Sequence, residues 1–150
     1  LYAVPSSNDK DTLETILVVD DNDLVVKTVV GILEAAGFRV LHADSGANAI
    51  ALAASYAGRI DLLLSDVQMP VMAGPELGER LLAVRPEIRV MFMSGFADGD
   101  MLVLNYGWAF IQKPFLSKKL VEMIDGVLHT PNKSQGMLQY DARKSELKPE

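Results

Sequence analysis

The stretch ILVVDDND, residues 16–23, decides the fold. Four aliphatic residues in a row end on two adjacent carboxylates, and a stretch with helical periodicity follows. Three more runs share this form: LLLS (62–65) leads to Asp66, VMFM (90–93) to Ser94, and WAFIQ (108–112) to Lys113 and Pro114. Near-continuous apolar runs suit strands that are covered on both faces. Alternating with longer helix-period stretches, they imply crossover units and a parallel sheet. Asp20, Asp21, Asp66, Ser94 and Lys113 then meet at the carboxyl ends of the strands, where open α/β sheets bind their ligands.

The surrounding sequence supports this reading. A first helix is expected from Asp23 to Ala36, with Val26, Val29, Val30, Leu33 and Ala36 on one face and Gly37 as a left-handed cap. A strand from Phe38 to Ala43 precedes Ser45, the expected N-cap of a helix running to Ala57. Pro75 suits the first position of a third helix, with Leu77, Leu81 and Val84 on one face and Pro86 closing it. The remaining strands are expected at Arg89–Met93 and Trp108–Gln112. Ser117 is the expected cap of a last helix whose stripe is Leu120, Val121, Ile124, Val127 and Leu128. Between the last two strands, two glycines and little length predict a weak fourth helix.

Composition narrows the class. With 150 residues, 49% hydrophobic and 23% charged, the chain suits one globular domain with a real core. No apolar run is long enough to span a bilayer as a helix, and no membrane partner is expected. The net charge of −6, with no basic cluster, argues against direct nucleic-acid binding. The absence of cysteine excludes disulfides and fits the cytoplasm. Leu1 rather than Met opens the chain, which reads as an excised or processed piece. Residues 1–14 read as a flexible lead-in, 15–129 as the domain, and 130–150 as a linker or tail.

Three clustered carboxylates repel one another, so they require a cation or raised pKa values. Mg²⁺ suits them, since it binds few carboxylates, keeps waters and uses phosphate oxygens. Asp21 and Asp66 are the expected ligands, with Asp20 binding directly or through water. Asp66, between the other groups, is the best-placed nucleophile for an incoming phosphoryl group. Phosphoryl transfer needs in-line positioning and positive charge more than covalent help. Lys113 can supply that charge, and the Ser94 hydroxyl can donate to a phosphate oxygen.

The set VVDD, LLLSDVQMP, FMSG and QKPF resembles the receiver domain of two-component response regulators and hybrid histidine kinases, over residues 15–129. The resemblance implies a flavodoxin-like (βα)5 fold, a doubly wound parallel sheet with strand order 2-1-3-4-5. It implies Asp66 as the phosphorylated residue, Asp20 and Asp21 as the acidic pair, and the Gln68 backbone carbonyl as a further metal ligand. Ser94 becomes the switch hydroxyl, Lys113 the lysine of the site, and Phe110 the rotating aromatic. The Lys113–Pro114 bond is cis in that family. The implied partner is a histidine kinase or phosphotransfer protein, a homodimer being compatible. The implied role is a phosphoacceptor that catalyses its own modification rather than a turnover enzyme.

This chain departs from the family pattern in places. The interval from Ser94 to Lys113 is short, so the fourth helix should be truncated. Trp108 stands where smaller residues are common and is expected to fill the vacated space. Ala73 replaces an acid often found after Met-Pro. Gln68 and Phe96 occupy positions that tune phosphate loss, and Phe96 predicts a long-lived phosphoryl state.

Plainer roles suit other residues. Asp23 and Asp44 read as turn or cap residues, and Met69, Met91 and Met93 as core filler. Phe110 fits core packing as well as a moving switch. His42 and His129 have no partner pattern. Beside the phosphorylation switch stand two further readings: a pseudo-receiver that binds partners without phosphate, and a free-standing phosphohydrolase. Gln68, where such a hydrolase carries a second acid, weighs against the last.

Overall fold

The computed structural model describes residues 13–95 and 107–130. The segment where a shortened fourth helix was expected and Phe96, together with most of the lead-in and tail, lie outside them. The described elements are β1 (Thr15–Val19), α1 (Asp23–Ala35), β2 (Arg39–Ala43), α2 (Gly46–Ser55), β3 (Leu62–Asp66), α3 (Gly74–Val84), β4 (Arg89–Ser94), β5 (Ala109–Gln112) and α4 (Ser117–His129). The five strands are parallel in the order β2-β1-β3-β4-β5. This is the flavodoxin-like arrangement.

Alternation along each strand builds two cores, because successive side chains point to opposite faces. Ile16, Val18, Leu62, Leu64, Met91 and Met93 pack with Val29 and Leu33 of α1 and Leu120, Ile124 and Leu128 of α4. Leu17, Val19, Leu63, Val90 and Phe92 pack with Ala49 and Ala53 of α2 and Leu77 and Leu81 of α3. Every residue of β1 is buried, which explains why its sequence shows no polar alternation.

The helix ends follow local chemistry. Asn22 caps α1, its side chain accepting from the N–H groups of Leu24 and Val25 at 3.0 and 3.2 Å. At the other end Gly37 takes φ of 99°. Gly37 N donates to Glu34 O at 3.0 Å and Phe38 N to Leu33 O at 3.1 Å, the paired bonds of a Schellman motif. The Ser45 hydroxyl accepts from Asn48 N at 3.0 Å, so it caps α2 as its sequence position implied.

Several local expectations need correction: β2 starts at Arg39 rather than Phe38, α2 ends at Ser55 rather than Ala57, and Pro75 is the second residue of α3 rather than the first. Ser117 begins α4 rather than capping it; the cap position is Leu116, which makes no side-chain cap bond. Ala36 is exposed because α1 has already ended there. Val84 is 70% exposed rather than buried. The buried face of α3 is Gly74, Leu77, Gly78 and Leu81, which turns the stripe toward the glycines and leaves Val84 at its margin. Trp108 precedes β5 rather than joining it.

Candidate functional site

Strand register brings the polar residues together. β1 and β3 pair Val19 with Ser65, so the chain leaves both strands at the same level, into Asp20–Asp21 and Asp66. Oxygen atoms of Asp20, Asp21 and Asp66 lie within 4.8 Å of one another. Asp20 is fully buried, Asp66 partly buried and Asp21 exposed, so the cluster opens to solvent on one side.

Two of the carboxylates are held in place. Asn22 N–H donates to Asp20 Oδ1 at 2.9 Å. Asn22 thus caps α1 with its side chain while orienting Asp20 with its backbone. Lys113 Nζ reaches Asp20 Oδ2 at 3.2 Å and Asp66 Oδ1 at 3.4 Å. Lys113 is positioned by its own N–H, which donates to Ser94 O at 2.7 Å, and the Lys113–Pro114 bond is cis. Ser94 is buried at the end of β4. Gln68 lies exposed two residues beyond Asp66.

The loop after Asp66 is also tightly tied. Val67 N donates to Met93 O at 3.1 Å and Gly74 N to Val67 O at 2.9 Å. Met72 N donates to Pro70 O at 2.7 Å across Val71, whose φ of 70° puts a β-branched residue in the left-handed region. That conformation is costly for valine, and the turn persists because its flanks are anchored. Val71 is consequently thrust fully into solvent.

The electrostatics are unbalanced. With all groups ionised, three carboxylates against one ammonium leave −3 + 1 = −2. Burial, followed by the neighbouring Asp20 charge, pushes the Asp66 carboxyl above its ordinary range, while Lys113 and the Val67 N–H pull it back. The oxygen-only donor set fits a hard divalent cation such as Mg²⁺, which would cancel the excess.

Of the residues singled out in the sequence, Asp20, Asp21, Asp66 and Lys113 form one cluster, and Ser94 joins it through the Lys113 backbone. Phe110, partly buried, packs on the core shared with α2 and α3. Met91 and Met93 lie in the core shared with α1 and α4, as expected, and Met69, partly buried, packs against the opposite core. The sequence reading missed Asn22, although an Asn directly before the first helix was a legible cap signal. It also missed His129, whose Nε2 lies 2.9 Å from Glu14 and Nδ1 3.1 Å from Asp125.

Among the described residues, no helix is long and apolar enough to cross a membrane. The family model for the response regulator receiver domain matches residues 16–125. The chain is 35% identical over 119 residues to the response regulator receiver protein CpdR of Brucella abortus (strain 2308), covering 75% of this chain and 94% of that one. It is 33% identical over 128 residues to the sensor kinase CckA of the same organism, covering 83% of this chain but 14% of CckA. Among solved structures, the receiver domain from the hybrid histidine kinase CckA superposes with a TM-score of 0.62 at 36% identity, covering 77% of this chain and 99% of that one. The chemotaxis response regulator CheY4 of Vibrio cholerae gives 0.66 at 28% identity, covering 78% and 100%.

Proposed function

The chain belongs to the response regulator receiver domain family and is a receiver of two-component signal transduction; on that footing we propose that Asp66 is its phosphoacceptor. One observation carries the reading: Asp20, Asp21 and Asp66 converge within 4.8 Å while Lys113 bridges Asp20 and Asp66.

Asp20, Asp21 and Asp66, with the Gln68 backbone carbonyl, would hold Mg²⁺. Bound there, the ion supplies positive charge to phosphoryl oxygens and relieves repulsion among the carboxylates. A carboxylate oxygen of Asp66 attacks the phosphorus in line. The O–P bond forms as the P–N bond of a partner's phosphohistidine breaks, and the electron pair leaves on the imidazole nitrogen. Lys113 lies within ion-pair reach of Asp66 and offers its ammonium to the transferred group. Ser94, held next to Lys113 by the backbone bond, is the hydroxyl that turns toward the new phosphate. Phe110 is its proposed follower on β5. The added charge of about −1.5 to −2 biases an existing equilibrium on the β5–α4 side of the domain.

The partner is a histidine kinase or phosphotransfer protein, and the rim of the pocket suits a protein surface. Leu24 at the start of α1, Val71 in the loop after β3 and Leu116 before α4 are 72%, 105% and 76% exposed. All three sit on the end of the sheet that carries the carboxylates. The same reading places the domain in the cytoplasm, on the side where kinases draw on ATP.

Incubation with acetyl phosphate and Mg²⁺ tests the assignment by intact mass. The wild type should gain one phosphoryl group and Asp66→Ala none. A wild type that stays unmodified, or an Asp66→Ala protein that still gains the group, would remove Asp66 from this role.

A further inference from the structure

Gly74, at the start of α3, marks a point where three parts of the molecule meet without slack. A Cβ built on Gly74 would run into the backbone carbonyl oxygen of Asp66 and lie 2.9 Å from Cε1 of Phe92. Real Cβ atoms do not tolerate such spacing, so the Asp66 carbonyl and the Phe92 ring both crowd the Gly74 backbone and leave no room there for a side chain. Phe92 is fully buried on β4, two residues before Ser94.

Phe92 is held in turn by the single tryptophan of the chain. The rings of Phe92 and Trp108 lie 5.3 Å apart between centroids at 42°, inside the range where tilted aromatic pairs attract. The far edge of the Trp108 indole lies over Gly78, 3.2 Å from where a Cβ would stand, and the same point is 3.4 Å from Cγ1 of Val90. Gly74 and Gly78 are one helical turn apart on α3, so the helix approaches β4 closely at both positions. The two gaps are filled by Phe92 and Trp108 in series. Trp108 immediately precedes β5, the strand that leads into Lys113.

We propose that Trp108 is a positioning residue for Asp66, acting through the Phe92 ring on the contact between Gly74 and the Asp66 backbone. This rests on Asp66 being the phosphoacceptor. In-line transfer tolerates little displacement of the attacking oxygen, and shifts of about 1 Å cost up to about 100-fold in rate. A flat ring pressed between α3 and Phe92 keeps the Asp66 carbonyl, and with it the carboxylate, in one place. The coupling runs both ways, so loading the site should alter the surroundings of the indole.

The test compares rates of acetyl phosphate-dependent modification at saturating Mg²⁺, well below the unfolding temperature. Trp108→Leu should react about 10-fold more slowly than wild type, and Trp108→Phe within about 3-fold of it. Leu33→Ala opens a cavity in the opposite core, is destabilised for reasons unrelated to Asp66, and should react at the wild-type rate. Equal rates in Trp108→Leu and wild type, or equal slowing in Leu33→Ala, would overturn the proposal while leaving the acceptor assignment intact. If Trp108→Leu does not fold, the wild type decides. Beryllofluoride with Mg²⁺ should shift the indole emission, and unchanged emission from a loaded protein overturns the proposal. A wild type that takes no phosphoryl group at all is a different failure, that of Asp66 as acceptor.

Discussion

The two ends of the sheet both carry dense charge, but they are balanced differently. At the amino end each of these charges has its own partner. Asp61 accepts from Thr15 N and from Arg59 Nε, both at 2.8 Å. Arg89 donates to Val127 O and, at 2.8 Å, to Thr130 O, closing the end of α4. Arg85 donates to Ala53 O, Tyr56 O and Gly58 O at 2.8, 2.7 and 2.9 Å, closing the end of α2. His129 sits between Glu14 and Asp125. At the carboxyl end, one ammonium, that of Lys113, is shared between two of three clustered carboxylates. One end uses its charge to cap chain ends, which holds the domain together. The other keeps an excess of negative charge in a partly buried place, where charge is costly and therefore available for chemistry.

If that contrast holds, substitutions at the two ends should separate function from stability. The largest effect is expected for Asp66→Asn, which should abolish phosphoryl acceptance by intact mass. Its effect on stability has the opposite sign. A carboxyl raised in the folded state costs stability once pH exceeds the ordinary carboxylate value, because the folded form binds the proton more tightly. Denaturant unfolding of the wild type in chelator should therefore show stability falling as pH climbs from that value through the raised one. Asp66→Asn should flatten this dependence, and Mg²⁺ should offset it.

Next in size is Lys113→Ala. Losing the ammonium should slow modification by about 100-fold, read from acetyl phosphate time courses. A rate within a few-fold of wild type would break the assigned role. Arg85→Ala is the matching test at the amino end. Three carbonyls lose their donor, two of them partly buried, so unfolding free energy should drop by about 2 kcal/mol while the modification rate stays put.

The smallest effect belongs to His129. Its hydrogen bond to Glu14, aided by Asp125, raises the imidazole above its ordinary value. The stabilisation is complete below that ordinary value and is lost as pH rises through the higher folded one. His129→Gln should remove this component from the stability profile without touching phosphoryl acceptance. Because the ring is largely exposed, solvent screens the pair and the change should be slight.

How far the sequence could be read depended on the distance over which each feature is encoded. The strands and the acidic cluster were legible because strand-end position alone sends Asp20, Asp21, Asp66 and Lys113 to one edge, whereas the sheet order came from the family resemblance. Gly37 and Ser45 were legible as caps because the bonds they govern close within a few residues. Ser117 and Val84 misled for the same local reason. A serine near a helix start is a sound cap signal, but the chain entering α4 from Pro114 begins its helix one residue too early to use it. Val84 fits the helical period, yet Gly74 and Gly78 draw the buried face away from it.

By itself, then, the sequence determined which segments form strands, most of the inward-facing helix positions, and which carboxylates share an edge. Tertiary structure alone decided how those groups are used. It buried Asp20, left Asp21 in water, and set Lys113 against an aspartate 93 positions earlier. It also placed His129 beside a glutamate 115 positions away and packed Trp108 against Phe92 over Gly78. Periodicity and caps depend on neighbours within a turn or two, so they are written locally. Burial and long-range pairing depend on how the layers close on one another, and no short stretch of sequence contains that information.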